Sequence, residues 1–184
     1  LSMEFILLRP DQIIAMMDYP PLHSPEALAI YFQKFCAGEQ DISPVPVIKK
    51  ELVLNYFRLQ RDRFASYSEI LQRFLDEHPA VAYFMLDGGH RCAAAMLSGK
   101  MIPCISITDD NVFIEINTSE SPIRLHGDFS TLTEDMVSID QEIKMLEEHF
   151  FENKRFWTVE EKVKAMIENG DIPEAMVSVI KRGS

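Results

Sequence analysis

The side chains best suited to chemistry gather in one stretch, Tyr83-Phe84-Met85-Leu86-Asp87-Gly88-Gly89-His90-Arg91-Cys92-Ala93-Ala94-Ala95. The apolar run VAYFML, residues 81–86, reads as a buried strand. It leads into two glycines and then into alanine-rich helical sequence, residues 90–97. A strand that turns into a helix through glycines aims the first helical N–H groups, and the positive end of the helix dipole, at whatever occupies the turn. Gly88 and Gly89 let a ligand approach the backbone closely. Arg91 carries a planar fork that suits a phosphate or carboxylate. His90 can donate a hydrogen bond or shuttle a proton. Asp87, at the strand's end, can hold Mg²⁺ or act on a hydroxyl proton. This is the chemistry of an anion site, and phosphate is its natural ligand. A Gly-Gly turn of this kind also occurs where nothing binds, but His and Arg are poor choices for a purely structural turn.

The elements that position this turn follow from local signals. Residues 4–8 read as a first strand, ended by Arg9-Pro10. Prolines 20 and 21 force an extended loop. Ser24 is a good N-cap, Pro25 suits the first helical position, and Gly38 closes a helix whose apolar face holds Leu28, Tyr31, Phe32 and Phe35. Val45–Ile48 reads as a strand, residues 51–78 as two helices, and Met101–Ile107 as a strand that Pro103 places at an edge or marks at its beginning. Asn111–Ile116 alternates and predicts another strand.

Beyond it, Thr131 and Glu134 fit a capping box, followed by a stripe of Leu132, Met136, Ile139, Ile143, Leu146 and Phe150. Asp140, Glu142, Glu147, Glu148 and His149 are expected on the solvated face of that helix. The stripe suits packing on the sheet or pairing with a second copy of the chain. Thr158 and Glu161 form another capping box for a helix ending at Gly170, and Pro173 opens a last one.

Composition bounds the rest. The chain of 184 residues is 47% hydrophobic and 26% charged, which is ordinary for a globular protein of about one domain. Its net charge of −11 is uneven, with 10 basic and 12 acidic residues in 1–100 against 8 and 17 in 101–184. Such a balance argues against a generic nucleic-acid binder, which needs clustered Lys and Arg. Arg58, Arg61, Arg63 and Arg73 cluster in the helical insertion; such a patch could contact nucleic acid or the phosphates of a bound nucleotide, and a solvated helix surface is the favoured account of it. No apolar run approaches the ~20 residues of a membrane span. The opening residues lack a secretory pattern, and Cys36, Cys92 and Cys104 have no CxxC spacing. Reduced thiols and a cytoplasmic protein are the expectation.

The stretch LDGGHRCAAAMLSGKMIPCISI, residues 86–107, resembles the signature of the ParB/sulfiredoxin-like superfamily, in which a strand leads into a G-x-[HR]-R-x-x-A helix and a further strand. The upstream order is similar too: a strand ending near Arg9-Pro10, a Pro-rich loop, the helix from Ser24, and a strand reached through Ser43-Pro44-Val45-Pro46-Val47. The resemblance covers about residues 3–108, interrupted by a helical insertion near 50–79. It implies an α+β fold, a small mixed sheet with surrounding helices, over residues 3–117. Residues 118–182 would be an acidic helical extension packed on the same domain.

The resemblance also implies a nucleotide or another phosphorylated small molecule as ligand, with Mg²⁺ accompanying a nucleoside triphosphate or diphosphate. Gly88, Gly89, His90 and Arg91 fall on the family's phosphate-binding turn, and Asp87 on the acidic residue of its DG-type members. His23 lies in the loop that borders the ligand site in this superfamily. Two departures narrow the reading. Gly89 stands where sulfiredoxins carry the catalytic cysteine, which excludes sulfinic-acid reduction by that route. Only Arg91 remains of the arginine box of partition proteins, and residues 101–184, at net −9, show no counterpart of the DNA-binding domain of those proteins.

The expectation is a nucleotide-binding protein, an NTP-dependent phosphotransferase or NTPase with Asp87 and His90 as catalytic residues. The alternatives are a non-catalytic module that dimerises through its C-terminal helices, and a DNA-associated protein or nuclease.

Overall fold

The structure, a computed structural model, describes residues 4–15, 22, 24–59, 61–117, 138–144 and 155–183. Strand β1 is Glu4–Leu8, and a single 3-10 turn at Pro10–Gln12 leads directly into the short β2, Ile13–Ile14. Then come α1 (Pro25–Ala37), β3 (Val45–Lys49), α2 (Lys50–Leu59), α3 (Arg61–Glu77), β4 (Tyr83–Met85), α4 (Gly89–Leu97), β5 (Ile102–Ile107) and α5 (Asp110–Asn117). A helical segment, α6, covers residues 139–144. The last helices are α7 (Val159–Glu168) and α8 (Glu174–Gly183).

The five strands form one mixed sheet in the order β1-β5-β3-β4-β2. β5 lies antiparallel to β1 and parallel to β3, and β4 lies antiparallel to β3 and parallel to β2. β5 is therefore an interior strand. Pro103 sits at its beginning, opposite Leu7 and one residue before the pairing with β3 starts at Cys104, so no ladder to β3 is lost to its missing N–H.

Alternation along the strands sends successive side chains to two cores. Ile48, Phe84 and Ile105 face Phe57 of α2, Leu71 of α3, and Val112 and Ile116 of α5. Val47, Met85 and Cys104 face Leu28 of α1, the alanines of α4, and Val159, Val163 and Met166 of α7. The run Ala93-Ala94-Ala95 is wholly buried, because α4 is packed by the sheet, α1 and α7 at once and small side chains let them approach.

Residues 111–116 form helix α5 and not the expected strand. Val112 and Ile116 suit both an alternating and a four-residue spacing. The choice falls to the helix because the Asp109 carboxylate accepts from the Asn111 N–H at 2.9 Å, and because Val112 and Ile116 bury while Ile114 is 58% exposed.

The C-terminal helices are fastened to this core. Ala15 N–H donates to the Trp157 carbonyl at 2.8 Å, and Ile14 bridges Thr158. Thr158 and Glu161 form the expected capping box of α7. Glu161 also accepts from His78 at 2.8 Å, while the His78 ring stacks on Phe74 and its Nδ1 lies 2.8 Å from the Phe74 carbonyl.

Burial alone would lower the His78 pKa, but the Phe74 carbonyl and Glu161 outweigh it and hold it raised. Burial alone would raise Glu161, but the Thr158 N–H and His78 hold it lowered. The His78 contribution is complete below its ordinary 6.5 and fades as pH rises through the raised value. The Glu161 contribution is complete above 4.5 and fades as pH falls through the lowered value. Glu161→Gln keeps the cap and removes the charge. Thermal melts across pH should therefore show the variant below wild type between about 4.5 and 6.5, with the gap closing at higher pH. A gap independent of pH would contradict the ion pair.

Candidate functional site

β4 delivers the chain to the turn, and α4 begins at once. Gly88 is the N-cap of α4 with φ of 97°, a left-handed conformation that side chains disfavour. A Cβ there would also lie 3.0 Å from Val45 Cγ2 and 3.1 Å from Arg91 Nη2. Gly88→Ala is expected to cost about 1–3 kcal/mol of stability through backbone strain and this crowding, measured by urea unfolding. A variant as stable as wild type would refute the constraint.

Arg91 lies against Gly88 because its side chain turns back over the start of its own helix. It is 2% exposed. Nη1 donates to the carbonyls of Ser43 and Pro44 at 3.0 and 2.8 Å, and Nη2 donates to Asp87 Oδ2 at 3.2 Å. The fork expected to clamp a phosphate thus binds the loop before β3 and the Asp87 carboxylate. What the turn offers outward is the N-terminus of α4, whose N-cap glycine has no side chain to satisfy the first-turn amides.

His90 joins this turn to α1. The Ser24 N–H donates to His90 Nε2 at 3.2 Å, so that nitrogen carries no proton and Nδ1 holds it in the neutral ring. Ser24 caps α1 through its Oγ, which accepts from the Ala27 N–H at 3.1 Å. Leu22 Cδ2 lies 3.2 Å from where a Cβ on Gly89 would be. The N-termini of α1 and α4 therefore meet at the glycine turn. Of the sequence candidates, Asp87, Gly88, Gly89, His90 and Arg91 are brought together with Ser24; His23 lies outside the described residues. Arg58 and Arg73 are exposed, and the side chains of Arg61 and Arg63 lie outside the described part.

One residue expected on a solvated helix face is buried instead. Glu142, assigned from sequence to the solvated face of its helix, is 3% exposed, and its Oε2 is buried without a hydrogen-bond partner. Burial pushes its pKa up to about 7, and the Asp87 charge adds to the rise. The signal was present in the spacing, since Glu142 stands three residues after Ile139 and four before Leu146, on the stripe itself. Ile143 is buried in the chain's own core and Ile139 packs against it, so these two stripe positions are not open to a second copy. Asp140 and Lys144 are exposed, and the other stripe residues lie outside the described part.

Cys92 and Cys104 are buried, and burial raises both thiols, Cys92 to about 12 even with Arg91 nearby. They are core residues and not nucleophiles. Among the described residues, no group of three or more His, Cys, Asp or Glu could hold a metal ion, and no helix is long and apolar enough to cross a membrane. No family model, curated protein or solved structure matches this chain.

Proposed function

We propose that the β4–α4 turn binds a phosphate group of a nucleotide and that the protein is an NTP-dependent phosphotransferase or NTPase. The observation that carries this reading is the meeting of two helix N-termini, those of α1 and α4, at one glycine turn through the Ser24–His90 hydrogen bond. Each N-terminus contributes partial positive charge, and α4, whose N-cap is a glycine without a capping side chain, also offers its first-turn N–H groups. The similarity of residues 86–107 to the ParB/sulfiredoxin-like signature supports the same reading.

In it, the Gly88-Gly89 backbone and the first turn of α4 hold the phosphate. Arg91 acts from behind the turn, keeping the Ser43-Pro44 loop and Asp87 in place, and His90 orients the bound group. A Mg²⁺ would come with the nucleotide phosphates, with Asp87 as the motif's carboxylate for it. Clamping of this electrostatic kind is the main requirement of phosphoryl transfer.

Saturating ATP, ADP or CTP with Mg²⁺ should stabilise the protein by ~2–4 kcal/mol in thermal melts. If all three leave the melting temperature unchanged, the reading is wrong. The commitment of Arg91 to protein acceptors favours a second reading, a non-catalytic binding module. That reading predicts the same thermal shift with no phosphate released from the nucleotide.

A further inference from the structure

We propose that β1 is an interface between two copies of this chain, their β1 strands pairing antiparallel about a two-fold axis at Ile6 so that one sheet runs through both molecules. The proposal is independent of the nucleotide reading.

β1 is an edge strand. In the sheet it pairs with β5 alone, so the N–H and C=O groups along its other edge have no ladder partner among the described residues. Such edges are ordinarily blunted by lysine, proline or a bulge. Here the pairing with β5 runs unbroken from Glu4 to Leu8, and the residues between Glu4 and Arg9 are Phe-Ile-Leu-Leu. The two faces of the strand differ. Leu8 is buried, and Ile6 packs against the same core. On the opposite face the core shared with α5 takes in Ile105 and Ile107 of β5 but stops short of β1. Phe5, opposite Ile105, is 61% exposed, and Leu7 is 64% exposed. Large apolar side chains on one face of an open edge are the surface that an added strand buries.

The strand is complementary to itself. With Ile6 at the centre of an antiparallel register, Phe5 lies opposite the second copy's Leu7, and Leu7 opposite its Phe5. Four apolar side chains then close over one another on the face that each copy leaves open. The ends match in charge as well, since Glu4 comes beside the second copy's Arg9 at both ends of the pairing. Arg9 holds Asp11 at 3.0 Å, but its side chain is 54% exposed and open to a second carboxylate. Parallel pairing would instead set Glu4 against Glu4 and Arg9 against Arg9. A shift of one residue would turn the second copy's Phe5 and Leu7 to the other face. Two-fold pairing is closed, so it yields a dimer and not a fibre.

Sedimentation velocity over a concentration series tests this, together with hydrogen exchange of the β1 amides. The wild type should pass from monomer to dimer as concentration rises, and amides within residues 4–8 should exchange more slowly in the dimer. Leu7→Lys and Phe5→Lys, both at exposed positions, should each weaken the dimer roughly 10-fold or more, because each spoils both symmetry-related pairs. Combining Phe5→Lys with Leu7→Glu sets opposite charges across the register twice and should associate more tightly than Phe5→Lys alone. A wild type that stays monomeric at every concentration overturns the proposal and leaves the edge to a strand of another protein. A dimer that neither single variant weakens, or whose formation leaves exchange at β1 unchanged, overturns it by placing the contact elsewhere. A double variant no tighter than Phe5→Lys overturns the register about Ile6.

Discussion

Arg91→Ala is expected to remove about 3–5 kcal/mol of folding stability, because it breaks a buried charge pair and leaves the Asp87 carboxylate without its partner. The substitution also strands the Ser43 and Pro44 carbonyls that Nη1 now bonds, each of which costs about 1–3 kcal/mol if it stays dry. Against a total of about 5–15 kcal/mol for a domain of this kind, the variant should be close to unfolded at 37 °C. Arg91→Lys should not restore it, since one ammonium cannot reproduce a planar fork that spans two carbonyls and a carboxylate. Urea unfolding without ligand is the decisive measurement. An arginine that only clamped phosphate would leave the apo protein's stability unchanged on replacement, and that outcome would refute the brace described here. Loss of nucleotide binding in Arg91→Ala is therefore not by itself proof of contact with the ligand.

Glu142→Gln is expected to stabilise the protein at alkaline pH. A carboxyl whose folded pKa lies above its unfolded value binds its proton more tightly when folded. Its ionisation therefore costs stability progressively as pH rises from about 4.5 through about 7. Below that window both forms are neutral and the two proteins should melt alike. Above it the variant should exceed wild type by up to about 3 kcal/mol. Melts from pH 4 to 9 measure this directly. Parallel curves would mean that Glu142 ionises as an exposed carboxylate does.

Much of the fold was legible because its signals are local. The Ser24 cap, Pro25 and Gly38 bracket α1 as written, and Thr158 with Glu161 marks the start of α7. The glycine turn was legible as well, since a positive φ at Gly88 is a requirement on one residue and its neighbours. The misreadings have a common cause. The pattern of residues 111–116 satisfied two periods, and the decision came from burial against the sheet and from the Asp109 cap. Glu142 looked like a surface charge because residue type was weighed above its position on the apolar stripe.

The sequence by itself determined a mixed α and β chain and a strand–Gly-Gly–helix turn flanked by Asp87, His90 and Arg91. It did not determine what those side chains touch. Arg91 meets carbonyls 47 and 48 residues away, His90 meets an N–H 66 residues away, and Glu142 is buried on a helix that follows the sheet. A side chain's type limits which bonds it can make, but its partners are chosen only when distant segments pack and water is excluded. Tertiary structure alone therefore decided that the motif's arginine faces inward as a brace, that two helix N-termini face the turn, and that a tail carboxyl is buried.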